Sequence, residues 1–301
     1  MKKVVVILGN GFDLDLGLKT SYSDFAESDF WQNLMDNNEH SLDGSRLLGF
    51  LNNKYEVEKW IDIEAALLEY ALQKTEEGNF EIANDDQGDY LALCGALKRY
   101  LLNQQKSFKP RENSVGKGLL RRLRTRLPEL RVYTFNYTQL DVLAQKYDFY
   151  VEDAEHIHGS LIDDGNLILG IDTAKRVDDN YSFLFKTQNR SYRHTDILKD
   201  LCDKDEYIFF GHSLNGMDYP YFESLFGQLS HSGTYAPRLT IITKNEDDEN
   251  RFKNFLRKES VSLQGLYSNS IPTFILTDEI YNKKKEEQKK VQELFDRLDM
   301  M

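Results

Sequence analysis

The residues "KVVVIL" at 3–8 run directly into "GNGFDLDLG" at 9–17, so an unbroken apolar stretch rich in valine meets three glycines, Gly9, Gly11 and Gly17. A run without polar alternation suits a strand covered on both faces, as inside a parallel sheet flanked by helices. Further runs follow at 131–136 "RVYTFN", 167–171 "LILGI", 206–211 "EYIFFG", 238–243 "RLTIIT" and 272–276 "PTFIL". All are expected as core strands of an α/β fold with a mainly parallel sheet.

More than a hundred residues separate the first two runs, and their periodicity is helical at 62–77, 89–105 and 116–127. A complete strand-helix-strand crossover takes about 30 residues, so 21–130 reads as a helical insertion after the first strand. At the other end, 279–301 is charge-dense and spaces Val291, Leu294, Phe295 and Leu298 as one face of an amphipathic helix. With five prolines and no low-complexity linker, 1–301 reads as one integrated unit carrying these two additions.

A net charge of -12 and a pI near 5.1 oppose binding to nucleic acid, which needs a basic face. The local exception, Arg121, Arg122, Arg124 and Arg126, fits either an anion contact or the solvated face of a helix. Two distant cysteines, Cys94 and Cys202, support neither a disulfide framework nor a cysteine-ligated zinc site and suit a reducing cytoplasm. No apolar segment reaches the length of an export signal or a membrane span, so a cytoplasmic protein without a membrane partner is expected.

The glycine loop departs from the dinucleotide fingerprint G-x-G-x-x-G, because position 14 is leucine and the third glycine comes at 17. Ordinary dehydrogenase chemistry is thereby disfavoured, and 21–34 looks helical, opened by a capping box of Ser21 and Asp24. Gly9 and Gly11 can still turn the backbone off a strand end and expose amide hydrogens to a pyrophosphate. In "TFNYTQLD" (134–141), Thr138 and Asp141 have capping-box spacing, which leaves Asn136 at the carboxyl end of a strand, where open α/β sheets bind ligands.

"EHIHGS" (155–160) places His156 and His158 two apart. A histidine there can serve as general base or orient a ribose hydroxyl. The same spacing also permits metal ligation with Asp172 or His212, or a purely structural pair. "FFGHSLNGMD" (209–218) and "IITKNEDD" (241–248) add small polar groups after strands, among them Ser213 and Asn245.

Taken together and in order, "GNGFDLDLGLKTSY", "TFNYT", "HIHGS" and "GHSL" resemble the NAD-binding motifs of the sirtuin-like superfamily. Closer still, "LGNGFDLDLGLKTSYSDF", "WIDIE" (60–64), "TFNYT" and "HIHG" are similar to the bacteriophage abortive infection AbiH family across most of the chain. The resemblance implies a Rossmann-like, sirtuin-like NAD fold and a role in defence against phage. It implies that Asn136 positions an attacking water or the nicotinamide ribose, and that His158 acts as base or hydroxyl orienter. Gly9, Asn10, Gly11, Phe12, Gly17, Thr20 and Tyr22 would hold the nucleotide from the first motif. Gly159, Gly211, His212, Ser213 and Asn245 would hold it from the later ones. Asp13 is an inferred addition, a carboxylate placed to stabilise an oxocarbenium-like state electrostatically.

The activity implied is an NAD glycohydrolase with no metal, whose small-molecule partner is a nucleotide. The further partners expected are a second copy of the chain, as a homo-oligomer, or a phage-derived trigger. Departures from the sirtuin pattern keep two alternatives open. Thr138 stands where an aspartate is expected and Tyr22 where an arginine is expected, which suits a non-catalytic nucleotide sensor, while the H-x-H pair suits a metal-dependent hydrolase. Lacking a four-cysteine zinc module, the chain does not fit protein deacylation. Asp62 and Glu64 of "WIDIE" are read as capping and solvating a helix, or as facing the ligand.

Overall fold

A computed structural model describes residues 2–38, 46–58, 62–78, 80–123, 129–162, 167–171, 176–189, 192, 197–214, 217–231 and 236–301. Six strands form one parallel sheet: β1 (Val4–Leu8), β2 (Leu130–Thr134), β3 (Glu155–His156), β4 (Glu206–Phe210), β5 (Arg238–Thr243) and β6 (Ile271–Leu276). Their order is β3-β2-β1-β4-β5-β6. The chain moves outward from β1 on one side and then returns to β4 on the other, so the direction of winding reverses between β1 and β4. In open α/β sheets that reversal opens a crevice at the carboxyl strand ends.

The valine run behaves as its composition requires. Every residue of β1 is buried, and its register pairs Leu8 with Thr134 of β2 and with Phe210 of β4, so three strands end level. One core layer packs Val5, Ile7, Tyr207, Phe209, Leu239 and Ile241 against Phe222, Phe226 and Phe252. Each buried phenylalanine contributes about 2–3 kcal/mol through the apolar surface it removes from water. At the start of β4, buried Glu206 is held by Arg297 at 2.7 Å, from the terminal helix Lys285–Asp299.

One expected strand is absent from the sheet. Leu167–Leu169 are buried, but "LILGI" forms only an isolated bridge between Ile171 and Phe185. An apolar run signals burial and cannot by itself separate a sheet strand from a buried loop; here Gly170, at φ +147, breaks the extended course.

The chain divides into two compact units. The sheet unit comprises Met1–Leu18, Lys109–Ile157 and His194–Met301; the second comprises Lys19–Phe108 and His158–Arg193. The second unit is built on helices Leu47–Glu58, Ile63–Glu77 and Ala83–Ser107. Its interior includes the buried carboxyl of Asp86, which accepts hydrogen bonds from Tyr70 (2.8 Å), Tyr181 (2.7 Å) and the Leu47 amide (3.0 Å). Among the described residues no helix is long and apolar enough to cross a membrane.

Candidate functional site

At the carboxyl end of β1 the backbone turns against that of β4. The Gly9 amide donates to Phe210 O at 2.9 Å, the Gly11 amide to Gly211 O at 3.0 Å and the Phe12 amide to Gly9 O at 2.9 Å. A Cβ on Gly9 would lie 2.6 Å from His212 Cα, and one on Gly11 2.6 Å from Gly211 Cα. These glycines therefore let two loops touch backbone to backbone. The expectation that Gly9 and Gly11 turn their amide hydrogens outward to a pyrophosphate is corrected: both hydrogens are spent on β4.

The same loop opens the helix Asn10–Leu16, which exposes Asn10, buries Phe12 edge-on against Phe210, and ends at Gly17 in the left-handed region. Asp13, on this helix, is 1% exposed and meets the turn that leaves β2. There the Asn136 side-chain nitrogen donates to Asp13 Oδ1 at 2.7 Å and to Gly9 O at 3.1 Å. Both partners are acceptors, so the amide orientation is settled and both of its hydrogens are used. The Asn136 amide oxygen remains as an acceptor with no hydrogen bond among the described residues.

Thr138 Oγ1 donates to the other carboxylate oxygen, Asp13 Oδ2, at 2.6 Å. The expected Thr138–Asp141 capping box does not form: the N-cap of helix Leu140–Gln145 is Gln139, whose side chain makes no cap, and the Leu140 amide donates to Asp153 Oδ1 at 2.8 Å. His156 Nδ1 donates to the Asn136 carbonyl at 2.9 Å, and its Nε2 lies 3.3 Å from Asp153 Oδ2. Burial pushes the Asp13 carboxyl up to about 7, outweighing the opposing hydrogen bonds from Thr138 and Asn136 and the charge of His156. A carboxyl so placed is divided between its two forms at neutral pH, the range suited to proton transfer.

The groups after β4 and β5 are held differently. Gly211 sits at φ +64, and His212 Nδ1 accepts the Leu214 amide at 3.1 Å while its ring stands edge-on to Phe135. His212 Nε2 lies 3.8 Å from Asp218 Oδ2. Ser213 is exposed. The Asn245 side chain caps helix Glu246–Lys258 by accepting the Asp248 amide at 3.1 Å.

Of the expected catalytic and nucleotide-binding residues, Thr20, Tyr22, His158 and Gly159 belong to the second unit, as do Asp62 and Glu64 of "WIDIE". Tyr22 follows Ser21, whose capping box with Asp24 forms as expected. Gly159 takes φ +76. His158 is buried, with Nε2 3.3 Å from the Lys186 ammonium, itself 3.1 Å from Glu64 Oε1. The two acids of "WIDIE" therefore have separate duties, since Asp62 caps helix Ile63–Glu77 and Glu64 forms a buried ion pair. Trp60 and Ile61 of that motif lie outside the described residues.

Sequence reasoning missed Lys186 and Asp153. The available signal for Lys186 was a lone lysine amid the apolar run "FLFK", but nothing local says that such a lysine is buried.

Of the residues offered for a metal, His156 lies in the sheet unit and His158 in the second, and Asp172 lies outside the described residues. No group of three or more histidine, cysteine and acidic side chains is arranged for a metal among the described residues. In the sheet unit, a cavity of about 720 Å³ is lined in part by Lys117, Arg121, Arg122, Tyr147, Tyr281 and Phe295 and by none of the proposed nucleotide-binding residues. Arg122 there is tied to Asp299 at 2.7 Å, and Arg121 is exposed; Arg124 and Arg126 lie outside the described residues.

No curated protein matches the chain. The family model for "Bacteriophage abortive infection AbiH" matches residues 5–236, a span that includes the Gly9 loop, Asn136, His158 and Gly211. The chain therefore belongs to the AbiH family.

Proposed function

We propose that this protein acts in antiphage abortive infection by releasing nicotinamide from NAD or a related nucleotide, in a Rossmann-like, sirtuin-like pocket at the carboxyl ends of β1, β2 and β4. The observation that carries the reading is the Asn136 amide. Its nitrogen is committed to Gly9 and Asp13, which leaves its oxygen as the acceptor that a reactant would use, beside the carboxyl end of β1. A water or ribose hydroxyl donating to that oxygen is oriented, and a water so held attacks C1′ as the bond to the nicotinamide nitrogen breaks. Nicotinamide leaves with the bonding pair, and the attacking water gives up its proton to bulk water as the ribose hemiacetal forms.

Asp13 steadies Asn136 and, in its ionised fraction, opposes the positive charge that develops at C1′. The phosphates are held by groups other than the amides of Gly9 and Gly11. Antiphage cells expressing the chain are expected to lose NAD during infection, with nicotinamide appearing by mass spectrometry, and Asn136→Ala should stop both. NAD that stays constant through infection in protected wild-type cells removes the assignment.

A nucleotide sensor without turnover is the second reading, favoured by the fact that both Asp13 carboxylate oxygens are already engaged, by Asn136 and Thr138. Calorimetry on the purified chain separates the two: saturable NAD binding that leaves the nucleotide intact, in a protein that still protects cells, supports the sensor.

A further inference from the structure

Lys186 is completely buried. Its ammonium lies 3.1 Å from Glu64 Oε1 and 3.3 Å from His158 Nε2, and Glu64 Oε1 also accepts the Gly170 amide at 3.3 Å. The backbone fixes this cluster from both sides. The Lys186 amide donates to Ile171 O at 3.1 Å, and the Ile171 amide donates to Leu184 O at 2.9 Å. Gly170 permits that approach, because a Cβ there would stand 2.1 Å from Leu184 O. The stretch "LILGI" thus frames the lysine that reaches His158.

A buried charge persists when it is paired, and Glu64 supplies the pair. An ammonium has three donors and no lone pair, so towards His158 it can only donate. Nε2 must then be the nitrogen with the lone pair, and the ring proton sits on Nδ1. We infer that Lys186 and Glu64 are positioning residues that lock His158 as the neutral imidazole protonated on Nδ1. The ring's one N–H is then on Nδ1, and the nitrogen facing Lys186 is withdrawn from proton abstraction.

This links the "WIDIE" and "HIHG" motifs through a lysine in neither, and it withdraws His158 Nε2 from taking a proton.

The test uses the full chain with ¹⁵N-labelled histidine at neutral pH, with His158→Gln identifying the His158 signals among the six histidines. A protonated, pyrrole-type Nδ1 and an unprotonated, pyridine-type Nε2 are expected in the wild type. A proton on Nε2, or on both nitrogens, overturns the inference. The wild-type spectrum decides this without any variant. In Glu64→Gln/Lys186→Met, where both charges are removed together, the Nδ1–H signature should be lost; its persistence overturns the role of Lys186.

Discussion

Replacing Asp13 by asparagine removes the titration at the centre of the candidate site while keeping an oxygen for the Asn136 amide to donate to. A carboxyl raised from 3.8 to about 7 by burial holds its proton about 4 kcal/mol more tightly in the folded chain than in the unfolded one. The stabilisation is complete below the unfolded value, where both states are protonated. It is lost as pH rises towards the folded value, because the unfolded chain releases its proton first. Between about pH 5.5 and about pH 8.5 the loss assigned to Asp13 is about 2 kcal/mol.

The measurement is urea unfolding followed by far-ultraviolet circular dichroism, which reports the sheet directly. Wild type and Asp13→Asn are compared at each pH so that the other titrating groups cancel. The wild type should lose stability relative to the variant by about 2 kcal/mol across that range, with most of the change below pH 7. A difference that stays flat shows that folded Asp13 is ionised throughout, and it removes the argument that burial outweighs the bonds from Asn136 and Thr138.

Two further outcomes test the frame around the site. Gly211→Ala puts a Cβ 2.3 Å from Gly11 Cα at a residue with φ +64, and should cost about 3 kcal/mol or more, measured as a lowered urea midpoint. Arg297→Met leaves Glu206 buried beside Thr240 without its cation. It should cost about 3 kcal/mol, much of it recovered in the double variant Glu206→Gln/Arg297→Met; a double variant no more stable than the single one refutes the ion-pair account.

The parts of the structure legible in the sequence are those where burial alone dictates the answer. The apolar runs of β1, β4 and β5 are buried in the middle of the sheet, while the equally apolar "LILGI" is buried outside it, and Asn136 follows from its place at the end of β2. What was misread involves polar groups with two possible partners, one near in sequence and one far. Thr138 had a local offer, the cap of the helix at 140–145, worth about 1 kcal/mol. Its competitor was Asp13, buried on another element, and leaving a buried carboxylate short of a donor costs about 1–3 kcal/mol or more. The distant partner wins on magnitude, and the first amide of the helix, Leu140, is taken by Asp153 instead.

The same comparison explains the glycine loop. Amides of Gly9 and Gly11 face a β4 backbone two hundred residues away, and an unmade buried hydrogen bond costs more than solvent or a transient phosphate returns. Glu64 follows the rule as well, since Lys186 leaves it no choice between solvation and pairing once both are inside. Around such a site, local motifs name the groups present, and the number of buried charges to be satisfied decides which of those groups remain for a ligand. By that count Asn136, its nitrogen spent on Gly9 and Asp13, is left with an oxygen.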